Sequence, residues 1–194
     1  MKKISRNMLL SFDEWARVRD ILRPLFIREK ERRRLHAGSH LTFLFENTQT
    51  LWYQVEEIIR TERLTQDDAI QHEIETYNEL IPGPGELSAT MMIEFPDAKE
   101  RDAALRRLLG LERHVWLRLG ARRVAVGFDE RQRSTDQISS VQFVRMAAGV
   151  APQEFLKSAQ AGAAALQVDH PNLAAHAPID GALAAALAED LGAD

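Results

Sequence analysis

Arg32 to Leu64 reads RRRLHAGSHLTFLFENTQTLWYQVEEIIRTERL, and its second half decides the fold. Leu41–Glu46 (LTFLFE) is too apolar for a strand with one wet face, so it predicts a central strand covered on both sides. The period then changes. At about 100° per residue, Leu51, Trp52, Val55, Ile58 and Ile59 gather on one arc, which predicts a helix over Thr48–Arg63. Glu62 falls near the middle of that arc, Gln54 and Glu57 lie on its flank, and Tyr53 and Arg60 face away.

Upstream, Ser11-Phe12-Asp13-Glu14 reads as a capping box that opens a first helix, with Trp15, Val18, Leu22, Leu25 and Phe26 on one face. Pro24 removes the bond to the Asp20 carbonyl and predicts a kink or break. Glu29 and Arg33 continue the apolar stripe as a charged pair one turn apart.

Downstream, a third helix capped by Thr65 buries Ile70, Ile74, Tyr77 and Ile81, and Pro82-Gly83-Pro84-Gly85 ends it. From Ala89 the pattern is mainly strands. ATMMIEF (89–95) carries Met91, Ile93 and Phe95 on one face, and a capping box at Asp97 opens one more helix. Val115–Leu119 and Val124–Phe128 predict a hairpin, and Val141–Met146 a last strand. The order of elements predicts an α+β domain over residues 1–146, with a mostly antiparallel sheet of about five strands and helices packed largely on one side. Residues 147–194 differ, with 17 alanines and a single lysine. They predict an Ala-rich helical tail, with helices over about 152–165 and 181–191, either docked on the domain or joining a homo-oligomer.

Composition excludes several functions. The 194 residues contain no cysteine, which removes disulfides, thiolate zinc sites, cysteine nucleophiles and self-held iron–sulfur clusters. The formal charge is −4, with no continuous basic face for nucleic acid. MKKISRNMLL lacks the apolar run of a secretory signal, and no segment approaches the roughly 18 apolar residues of a membrane span. A cytoplasmic location is the expectation. No nucleophile elbow or glycine-rich phosphate loop occurs.

What remains is polarity threaded through core structure, which needs partners to be tolerated. The candidate network comprises Arg33, Arg34, His36, His40, Glu46, Asn47, Gln54, Glu57, Glu62 and Glu94. It predicts a non-catalytic binding or accessory module for a small anion or a docking partner, with catalytic residues and cofactor unassigned. The alternative is a metal-dependent enzyme or metal-binding protein using His36, His40 and nearby glutamates. Those histidines are four apart, but Gly38 between them argues against the helix that would bring both to one face.

HAGSHLTFLFEN (36–47), YQVEEIIRTER (53–63), YNELIP (77–82) and TMMIEF (90–95) together resemble an uncharacterised bacterial family, domain of unknown function 3501. The likeness covers roughly residues 5–146 and continues more faintly at Asp169-His170-Pro171 and Glu189-Asp190-Leu191. The family brings no reaction or catalytic residue to carry over. The resemblance implies a redox setting, with a rubrerythrin-like di-iron protein and a cysteine-rich iron–sulfur oxidoreductase encoded nearby. For a chain without cysteine, this implies an accessory partner of such a redox or di-iron system.

Overall fold

The computed structural model describes residues 1–193, and its first long element is the helix the capping box announces. Helix α1 (Phe12–Arg32) begins where the Ser11 side chain accepts from the Glu14 N–H and the Glu14 carboxylate accepts from the Ser11 N–H. It passes through Pro24 as one element. Pro24 and Asp20 are both exposed, so water can serve the carbonyl that the proline cannot.

Strands β1 (Arg34–Ala37) and β2 (Leu41–Glu46) form a hairpin whose turn needs Gly38 at φ +68°. Asn47 then caps α2 (Thr48–Glu62) through reciprocal bonds with Thr50. Helix α3 (Asp67–Asn78) follows, and the Pro-Gly turn leads into β3 (Glu86–Ile93). After α4 (Ala98–Arg107) come β4 (Val115–Leu119) and β5 (Arg122–Ala125), turning at Gly120-Ala121. The predicted second hairpin strand is divided at the buried Val126. Beyond it, β6 (Gly127–Phe128) pairs instead with β7 (Val141–Ala147) in the other sheet.

The fold is α+β and its sheets are antiparallel, with strand orders β1-β2-β3-β7-β6 and β5-β4-β8-β9. The second sheet is completed by β8 (Ala164–His170) and β9 (Leu173–Pro178), which lie between α5 (Pro152–Gln160) and α6 (Gly181–Leu191). The Ala-rich segment is thus helical at both ends and stranded in the middle. Alanine's helix preference hides those strands. Pairing of β8 with β4 outweighs it, because Leu166 and Val168 enter the common core.

That core joins Phe43, Phe45 and Met91 of the first sheet to Leu117 and Leu166 of the second, with Phe155 and Leu187 from α5 and α6. A second cluster, including Val55, Ile59, Ile70 and Ile74, covers the opposite face of the first sheet with α2 and α3. β2 is therefore buried at every position.

Candidate functional site

Strand alternation sends Thr42, Leu44 and Glu46 to the helix-covered face of the first sheet. Since Asn47 caps α2 immediately after the strand, the first turns of that helix fold back over Glu46. Thr50 Oγ1 donates to its carboxylate at 2.6 Å, and Gln54 Nε2 donates to the same oxygen at 3.3 Å. Thr90 of β3 donates to the other oxygen at 2.7 Å. Glu46 is only 2% exposed, and among the described residues it forms no ion pair. A carboxylate has about four acceptor directions, and three are used.

The fourth direction matters because Glu46 lines a cavity of about 380 Å³, within the volume range of small-molecule pockets. Leu80, Phe128 and Phe143 supply apolar wall. The two arginines at its border are already engaged. Arg131 pairs with Asp129 at 2.7 Å and Glu79 at 2.6 Å, and its guanidinium holds the Asp129 carboxyl below its ordinary range. Arg145 donates to Glu86 at 3.2 Å and to the Glu79 and Ile81 carbonyls. A buried carboxylate facing a small, partly aromatic cavity, with its cations occupied elsewhere, can bind a hydrogen-bond donor or a cation.

The other candidate residues fall into separate groups. Glu46, Asn47 and Gln54 belong to the cluster above. Arg33, the C-cap of α1, is 1% exposed and reaches across to α6, donating to Asp190 at 2.5 and 3.1 Å and to Glu29 at 2.5 Å. Arg34 pairs with Glu31 near the surface. His36, His40 and Glu94 meet at the open end of the first sheet. There the Thr42 hydroxyl donates to the Glu94 carboxylate, so the His36 Nδ1–H must donate to Thr42 at 2.9 Å. The His40 ring faces the Glu94 carbonyl and stacks on Phe95 at 4.0 Å. Glu57 accepts from the Trp15 indole at 3.1 Å and from both ends of the Arg19 fork, which holds its carboxyl below the ordinary range.

Glu62 is exposed, despite its place on the apolar arc. It lies in the last turn of α2, beyond Ile59, where no core continues beneath it. Tyr53 departs the other way. It is buried because α1 crosses the outer side of α2 and Phe26 stacks on it at 4.5 Å, giving the helix a second covered face. Among the described residues, no three His, Asp or Glu side chains could together hold a metal ion.

Sequence periodicity does not single out Glu56. It is 2% exposed, accepts the Leu10 N–H at 2.8 Å, and burial pushes its carboxyl up to about 7. Its only signal is a place on the flank of the apolar arc, between Trp52 and Ile59. Asp190 is signalled only by the faint family likeness at Glu189-Asp190-Leu191.

The model of the family described as protein of unknown function, DUF3501, matches residues 3–191. The chain belongs to that family. A DUF3501-like fold is also seen in a crystal structure of a protein of unknown function from Burkholderia pseudomallei K96243. It is 34% identical, with a TM-score of 0.87 over 98% of this chain and 100% of that one. No curated protein is significantly similar to the sequence. Among the described residues, no helix is long and apolar enough to cross a membrane.

Proposed function

We propose that this DUF3501 protein is a non-catalytic binding module that takes a small organic molecule with a protonated amine head in the Glu46 cavity. One observation carries the reading: a buried carboxylate, served only by neutral donors, borders a cavity whose arginines already face other carboxylates. An ammonium group would use the remaining acceptor direction and bring a positive charge into direct contact, where Lys30 acts on Glu46 only through space. Phe128 and Phe143 favour an apolar or aromatic body behind that head, through burial and cation–π attraction. The engaged arginines turn the binding reading away from a small anion. Docking of a redox or di-iron partner rests on the family resemblance alone. Binding is favoured over catalysis because the floor pairs one carboxylate with hydroxyls and an amide.

The test uses three probes with one body and different heads: phenethylamine, 2-phenylethanol and phenylacetate. Ligand-detected NMR and thermal shift are expected to rank the amine first. Glu46→Gln is expected to weaken the amine about tenfold, which corresponds to about 1.4 kcal/mol, while leaving the alcohol unchanged. Equal binding of phenylacetate, or an amine affinity unaffected by Glu46→Gln, would refute the reading.

A further inference from the structure

Helix α1 spans 21 residues, yet among the described residues Trp15 is its one fully buried side chain. Ile21 is 72% exposed and Leu25 is 47% exposed, which is unusual for large apolar groups on the same helix face. They belong to a regular stripe. Glu14, Val18, Ile21, Leu25, Arg28 and Arg32 recur at alternating steps of four and three residues, the spacing of a coiled-coil seam. The stripe lies roughly 100° around the helix from Trp15 and Phe26, the side chains that pack on α2. Its middle is apolar, its first member acidic and its last two basic.

We propose that this stripe is the interface of an antiparallel, two-fold dimer of the chain. With the symmetry axis beside Arg23, Ile21 meets Leu25 of the second copy, and each Glu14 meets the other copy's Arg32. Val18 lies against the aliphatic stem of the other Arg28. The pattern selects both partner and direction. A parallel pair would set Glu14 against Glu14 and the two arginines against their own copies, whereas the antiparallel pair is complementary at both ends. One oxygen of Glu14 serves the Ser11 cap, and among the described residues its other oxygen has no such bond. Arg32 pairs with Glu29 and, more loosely at 3.5 Å, with Glu189, while its side chain stays 37% exposed. Pro24 lies off the seam, so its missing donor is not needed there. The proposal places self-association on α1 instead of the C-terminal segment, whose β8 is already held within its own chain between β4 and β9.

A single helix seam falls in the small-interface class, below about 1,200 Å², so association should be weak and reversible. Sedimentation velocity of the full chain over a dilution series is expected to show a monomer–dimer equilibrium. Ile21→Glu with Leu25→Glu should abolish the dimer while circular dichroism shows an unchanged fold. Glu14→Lys and Arg32→Glu are each expected to weaken association at least tenfold alone. Mixed together they should form a heterodimer, because both ends then pair opposite charges. That rescue separates a lost interface from a merely frayed helix, which mixing cannot repair. A wild-type chain monomeric at every concentration, a dimer surviving the double substitution, or a mixture no tighter than its components would each overturn the proposal.

Discussion

Two buried carboxylates sit in opposite circumstances. Asp190 on α6 faces the Arg33 guanidinium through two hydrogen bonds, and Glu29 takes the third side of that arginine. Glu46 on β2 faces two threonine hydroxyls, a glutamine amide and a cavity. The first arrangement is closed, with the charges answered inside the fold, so it holds α1 to α6. The second keeps an acceptor direction and a negative charge for something from outside. Burial alone therefore does not mark a site; the identity of the neutralising partner does.

The comparison is broken most severely at Arg33. Arg33→Met leaves Asp190 charged and buried, which is expected to cost about 3–5 kcal/mol. For a chain of this length that is a fall in Tm of roughly 10 °C by calorimetry. Adding Asp190→Leu should recover most of the loss, since two apolar groups replace the ion pair. If Arg33→Met were neutral, the closed cluster would not be structural.

Glu56 tests a third circumstance, burial with one backbone donor and no ion pair among the described residues. Its carboxyl stands at about 7 in the fold against an ordinary 4.5. Between those values the folded chain holds a proton that the unfolded chain has lost, so stability falls as pH rises through this window. The deficit reaches at most about 3 kcal/mol above it. Glu56→Gln is expected to raise urea stability at about pH 8 and to leave it nearly unchanged near pH 4. A uniform effect across pH would contradict the assignment.

Glu46→Gln should change stability by only about 1 kcal/mol, because its hydrogen-bond partners are neutral and can re-pair, while the amine probe binds about tenfold more weakly. A large destabilisation would move Glu46 into the same class as Asp190. Smallest of all, Arg34→Ala breaks a surface pair with Glu31 and is expected to shift stability by less than about 0.5 kcal/mol.

Much of this architecture is written in local sequence, and the parts that are not share a cause. Leu41–Glu46 announces a strand with two covered faces, and Ser11 and Asn47 mark helix starts whose caps depend only on local residues. The strands β8 and β9 are hidden because their stability comes from β4, far away in sequence, while alanine locally favours helix. The polar candidates all come from one neighbourhood of the chain, apart from Glu94. Adjacency along the chain does not survive a strand reversal followed by a helix, so Arg33, Glu46 and His36 go to three places. Tyr53 and Glu62 exchange their expected environments for a related reason. A helical wheel gives one face per helix, but cannot show that α1 covers a second face or that the core ends before the last turn of α2.

The bond between Arg33 and Asp190 joins residues 157 positions apart. During synthesis at about 5–20 residues per second, Arg33 is made roughly 10–30 s before its partner exists. β4 likewise waits for β8. Until those partners are made, the nascent chain must carry an open sheet edge and a guanidinium answered only by Glu29. Helix α6 thus completes what α1 begins: a polypeptide cut short before Asp190 keeps the capped start of α1 but loses the carboxylate that closes the buried charge at its end.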